Sequence, residues 1–224
     1  MIVLVASGYD ARALRIAAHW GSPCAAILSA EDLCMPGWRL QLQSPPPTAV
    51  IDGKVISSEQ IDGILTLRPC VFPEELQNIQ RADRTYVAAE LNAFLLAWLT
   101  AQSCPVLNRP TSVCLAGPNW CPEQWAHAAA RVGIPAHARR HVPNEDAAAN
   151  AEEALEVIAV GKRCFGCDDA VLRDRTLKLA DAADVELLSV RFSADRYRFL
   201  SASVWPSFAD SSVLEAVRKR LEHG

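Results

Sequence analysis

The sequence has no excess of basic residues: 22 Lys and Arg stand against 26 Asp and Glu, a net charge of -4. A protein that tracks nucleic-acid phosphates needs the opposite balance, so a nucleic-acid partner is not expected. It also lacks the run of about 20 apolar residues that crosses a bilayer. The longest apolar stretch, 88–99, is interrupted by Glu90 and Asn92, and no membrane segment is expected. The start, Met1-Ile-Val-Leu-Val-Ala, has no basic flank and no small-residue cleavage site, and reads as a first strand rather than an export signal. Neither a GxGxxG fingerprint nor a P-loop is present, and no Ser-His-Asp elbow or flanked Cys-His pair offers a nucleophile.

Half of the residues are hydrophobic, enough for a sizeable core. Eight cysteines in so aliphatic a chain point to a reducing, cytoplasmic setting, where most serve as small buried hydrophobes. Only Cys164-Phe-Gly-Cys167 has metal-like spacing. Without a second pair or a nearby histidine it reads as structural. His137 and His141 read as one face of a strand, about 13 Å apart at ~3.3 Å per residue, too far for one metal. The adjacent Arg139-Arg140 pair fits a solvated edge strand or an anionic partner.

The pattern of elements is α/β. A strand over 1–6 turns at Ser7-Gly8-Tyr9-Asp10 into a helix carrying Ala13, Leu14, Ile16, Ala17 and Trp20. An apolar run over 24–29 and a proline-rich loop at 44–47 follow. Asp52-Gly53 then stands between two β-branched pairs, a strong hairpin signal. A strand over 64–67, a helix over 82–102 and a strand running into Asn108-Arg109-Pro110 come next. A helix over 122–132 ends at Gly133. After an acidic linker at 143–153, hairpin strands at 154–160 and 163–165 precede a helix over 168–183. Antiparallel strands at 185–192 and 197–203 turn at 193–196, and a final helix begins with a serine cap at Ser211. Gly8, Arg68-Pro69 and Asn108-Arg109 each follow a strand, where α/β sheets often bind ligands. They either converge on one crevice or satisfy loop carbonyls.

Two stretches resemble a known family. The helix leading to Cys104-Pro105-Val106-Leu107-Asn108-Arg109-Pro110, with Gly117-Pro118-Asn119-Trp120 and Gly133-Ile134-Pro135, is similar to the end of the pre-ATP-grasp domain in bacterial ATP-grasp proteins of the glutathione synthetase or RimK-like type. Val157-Ile158-Ala159-Val160-Gly161-Lys162-Arg163, with 177–192 and 197–206, resembles the C-terminal part of that family. The resemblance implies a pre-ATP-grasp-like layered domain over 1–120 and a small α+β ATP-grasp remnant over 121–224.

Catalytic members place a two-layer lid, with ATP-binding lysines, where this chain has only 136–156. About 20 residues cannot build such a lid with its own core. Aligning Pro206 with the family's motif proline puts Ser201 and Ser203 where Glu and Asn serve the metal, with Glu186 near the first metal-binding acid. One carboxylate and two hydroxyls hold Mg²⁺ poorly. The resemblance thus implies a pseudoenzyme: an accessory or scaffold subunit without a cofactor, associating with a genuine ATP-grasp ligase or with itself. Two alternatives remain. One is a lid-less carboxylate-amine ligase that uses ATP and Mg²⁺ with Glu186, Arg68, Arg109 or Lys162. The other is a small-molecule or peptide-binding module. Candidate ligand-binding residues are Arg68, Asn108, Arg109 and Glu186, and Trp205, beside the altered motif, is a candidate interface residue.

Overall fold

A computed structural model describes residues 1–40, 47–136, 154–193 and 198–223. The rest of the proline-rich loop beyond Pro47, His137, Arg139, Arg140, His141, the acidic linker and most of the 193–196 turn lie outside the described residues. The chain divides into two compact units, Met1–Gly117 with Leu214–Gly224, and Pro118–Val213.

The first unit is built on a parallel sheet. Strands β1 (Ile2–Val5), β2 (Ala25–Leu28), β5 (Gly63–Thr66) and β6 (Val106–Leu107) lie in the order β2-β1-β5-β6. All four residues of β1 are buried, as a strand covered on both faces requires. Helix α1 (Ala11–Trp20) is capped by Asp10, whose side chain accepts from the Arg12 and Ala13 amides. Helix α3 (Arg84–Thr100) buries Ala88, Leu95, Trp98 and Leu99 in a cluster with Val3, Val5 and Ile64. Trp38 meets Phe94 and Trp98 edge-on, with ring centroids 5.2 and 5.6 Å apart.

The expected hairpin forms as β3 (Thr48–Ile51) and β4 (Lys54–Ser57). Its turn sets Asp52 and Gly53 at φ 51° and 69°, the paired positive values that match the twist of a tight hairpin. A one-turn helix, α2 (Ala30–Leu33), anchors it. Buried Asp32 accepts from the Ser29 amide and hydroxyl and from the Gly53 amide, so its carboxylate is satisfied by three donors. Short 3₁₀ turns at Ser58–Gln60 and Pro73–Glu75 complete the loops.

The second unit carries α4 (Pro122–Arg131), β7 (Ala154–Val160), β8 (Arg163–Phe165), α5 (Ala170–Ala182), β9 (Leu187–Ser193) and β10 (Phe199–Ser203). Its sheet is antiparallel, in the order β10-β9-β7-β8. One face packs on α4 and α5 through Trp125, Ala129, Leu172 and Leu179 against Val157, Leu188, Val190 and Phe192. Helix α6 (Ser211–His223) spans the division and belongs to the first unit from Leu214 onward. Its cap is Asp210, which accepts from the Ser212 amide at 2.8 Å, rather than the serine expected from the sequence. No helix among the described residues is long and apolar enough to cross a membrane.

Candidate functional site

In the first unit, β1 continues through α1 to β2 on one side, while β5 lies on its other side. Such a reversal of winding opens a crevice beyond the carboxyl ends of the two central strands. Because β1, β5 and β6 run parallel, the segments bearing Gly8, Arg68 and Asn108-Arg109 all leave from this edge.

Their side chains play different parts. Arg68 is only 4 % exposed. Its Nε donates to the Cys70 carbonyl at 2.8 Å, and its guanidinium also reaches the Ala6 carbonyl and pairs with Glu75. Arg68 therefore ties the loop after β5 to the end of β1. Asn108 is buried in the left-handed region at φ 56°, a conformation asparagine tolerates at a strand end. Arg109 is exposed. Thr66 Oγ1, at the carboxyl end of β5, is buried without a hydrogen-bond partner among the described residues.

Asp10 pairs with Arg12 at 3.0 Å, and Arg12 also donates to the Leu67 carbonyl. Burial raises the Asp10 carboxyl, but the hydrogen bonds from Arg12 and Ala13 and the Arg12 charge outweigh it and hold the group below the usual carboxylate range.

The same edge displays apolar side chains. Met35 follows β2, Tyr9 follows β1, Phe72 follows β5 and Val113 follows β6, exposed by 43, 88, 45 and 73 %. Tyr86 lies in the first turn of α3, which starts at this edge because it carries the chain back toward β6. Among the described residues, five of the nine exposed large hydrophobics thus sit in segments at this edge. None lies in 21–24, 61–62 or 101–105, the segments that enter strands at the other. Sequence reasoning missed this set, since single apolar residues in polar loops carry no period.

In the second unit, cross-strand register pairs Ser201 with Arg191, Arg191 with Glu156, and Ser203 with Ser189. These five residues share one sheet face by alternation, and the Ser189 hydroxyl donates to Glu156. Glu186 lies outside β9, one residue before it begins. It is exposed beside the β7–β8 turn, where its carbonyl accepts from the Gly161 amide at 2.7 Å. The five paired residues offer one carboxylate, three hydroxyls and a guanidinium directly across from that carboxylate. A hard divalent cation needs several carboxylate or carbonyl oxygens and no competing cation, so this donor set does not fit Mg²⁺. Among the described residues, no group of three or more His, Cys, Asp or Glu side chains could hold a metal ion. Lys162 pairs with Asp181 at the surface. Trp205 packs against the α5-side cluster, its Nε1 buried with no hydrogen-bond partner among the described residues.

No family model matches the sequence, and no curated protein matches it. Solved structures do. Macrocyclase MdnC from Microcystis aeruginosa MRC, bound with precursor peptide MdnA, superposes with a TM-score of 0.71 at 10% identity, covering 100% of this chain and 99% of that one. A RiPP-associated ATP-grasp ligase from Chryseobacterium gregarium, in complex with ADP and a leader and core peptide, gives 0.63 at 12% identity, covering 98% and 96%. ATP-grasp ligase PsnB complexed with a minimal precursor gives 0.63 at 13% identity, covering 98% of each chain. At such identities the likeness is one of fold. The chain has an α/β, ATP-grasp-like fold.

Proposed function

From that fold we propose that this chain is a non-catalytic accessory or scaffold subunit in a bacterial biosynthetic pathway, working in the cytoplasm. It binds a peptide or protein partner: a precursor peptide, an ATP-grasp ligase or a second copy of itself. The observation that carries this reading is the apolar edge formed by Tyr9, Met35, Phe72, Tyr86 and Val113. Apolar side chains gathered at one exposed edge are the usual mark of an interaction surface. Two further features support it. The sheet face bearing Ser201 and Ser203 does not fit a magnesium ion, and only residues 132–153 connect α4 to β7, too few for a nucleotide-clasping lid with its own core. The precursor peptides bound to the similar structures supply the peptide as a partner class.

The alternative is a lid-less ATP-dependent ligase. It is favoured by the near-complete coverage of enzymes by this chain. In that case Arg109 contacts substrate at the crevice.

Affinity capture from the native host tests the preferred reading, comparing the native chain with a Tyr9→Ser, Phe72→Ser, Val113→Ser variant. The native chain is expected to recover an ATP-grasp ligase or a precursor peptide, identified by mass spectrometry, and the variant to lose it. If the purified chain remains monomeric and recovers neither, the accessory reading fails.

A further inference from the structure

The second unit has a groove that the apolar edge does not involve. A cavity of ≈ 650 Å³ is lined by α4 residues between Glu123 and Arg131 together with Trp120, Val132 and Ala182. Its volume falls within the range of ligand sites, roughly 300–1,000 Å³.

Two rows of α4 shape it. Glu123, His127 and Arg131 follow at intervals of four and form a polar row, while Gln124, Ala128 and Val132 form a narrower row beside it. Eight residues of helix at 1.5 Å each give the groove a length of about 12 Å, the span of roughly four residues of extended peptide at 3.3 Å each. Trp120, two residues before the helix, adds an aromatic ring to the lining. It is half-buried and held by Trp125, the ring centroids being 4.7 Å apart at 59°, so it presents a fixed aromatic surface. Ala182, the last residue of α5, stands at the wall.

The polar groups on offer are the Glu123 carboxylate toward the start of α4 and, further along, the Gln124 amide, the His127 imidazole and the Arg131 guanidinium. Arg131 makes no ion pair among the described residues although it is exposed. His127 lies one turn before it. The Gln124 oxygen is taken by the Cys121 amide at 2.9 Å, which leaves its amide nitrogen to donate. A groove that offers an aromatic ring and, further along α4, a guanidinium beside an imidazole suits a peptide with an apolar ring and a carboxylate four residues apart, roughly 13 Å at 3.3 Å per residue. Arginine binds carboxylates through paired N–H donors.

We propose that the α4 groove binds an extended peptide segment, with an aromatic side chain on Trp120 and an acidic side chain on Arg131 and His127. The inference rests on the peptide-binding reading only for the class of occupant. It adds a recognition site in the second unit with a defined preference.

Calorimetry on the full chain tests it with two probes, Ac-Phe-Ala-Ala-Ala-Asp-NH2 and Ac-Asp-Ala-Ala-Ala-Phe-NH2, which cover both chain directions. At least one is expected to bind saturably. Replacing its Asp with Asn is expected to weaken binding about tenfold, the worth of one charge-assisted hydrogen bond. Arg131→Ala should weaken binding by a similar factor and make the Asp and Asn peptides equivalent. Since Arg131 is exposed, the fold should persist, which circular dichroism checks. No saturable binding, equal binding of Asp and Asn peptides to the native chain, or native affinity in Arg131→Ala would overturn the proposal. The Tyr9→Ser, Phe72→Ser, Val113→Ser variant should bind the probe normally. Loss of partner capture with intact probe binding, or the reverse, separates failure at the edge from failure at the groove.

Discussion

Gly63 opens β5 against the backbone of Leu221. A Cβ at this position would lie 2.6 Å from the Leu221 carbonyl oxygen and 2.7 Å from its Cβ. Neither atom is the free end of a flexible side chain, so helix α6 would have to move. Gly63→Ala should therefore destabilise the protein by about 1–3 kcal/mol, the usual cost of overpacking, seen as a lower urea midpoint. Asp10 makes a different prediction. Its carboxyl is depressed in the folded state. Its contribution is complete above the ordinary value of about 3.9 and is lost as pH falls through the lower folded value. Asp10→Asn keeps a capping oxygen but removes the charge. The variant should be less stable at neutral pH and flatter on the acid limb below about pH 4 in pH-dependent unfolding. The cysteines divide by burial. Burial pushes up the Cys104, Cys114 and Cys164 thiols, whereas Cys121 is exposed. Under native conditions iodoacetamide should label Cys121 well ahead of those three, as peptide mass spectrometry would show.

At the scale of elements, much was legible beforehand because one local cause fixed each element. The Asp52-Gly53 turn specified its hairpin through two positive φ angles. The apolar spacing in α3 and the Pro122 and Gly133 boundaries of α4 marked helices. The one-turn α2 escaped notice, being too short for periodicity and depending on buried Asp32 and its bond to Gly53. The place of Glu186 was also hidden. The family resemblance set it beside Ser201 and Ser203 as a metal-binding acid, but it lies ahead of β9, while the register puts Ser201 and Ser203 across from Arg191 and Ser189. Helix α5 tests the local view. Asp169 accepts from the Val171 and Leu172 amides at 2.8 and 3.1 Å. Asp169→Ala should cost about 1 kcal/mol in thermal or urea unfolding, with the sheet retained.

For the whole molecule, the sequence indicated two parts, expected to divide between 120 and 121. The units divide at Gly117 and Pro118, and α6 from Leu214 rejoins the first. An amphipathic pattern announces a buried face without saying which core receives it. The shared edge was legible in outline because parallel strands must release Arg68 and Asn108-Arg109 on the same side, although Arg68 itself satisfies the Cys70 and Ala6 carbonyls. The apolar set at that edge and the groove on α4 emerged only with exposure and packing, which no spacing encodes. The most direct test of the non-catalytic reading is calorimetric titration of the full chain with a non-hydrolysable ATP analogue, with and without Mg²⁺. No saturable heat in either condition is expected, whereas magnesium-dependent nucleotide binding would contradict the accessory role and favour the ligase.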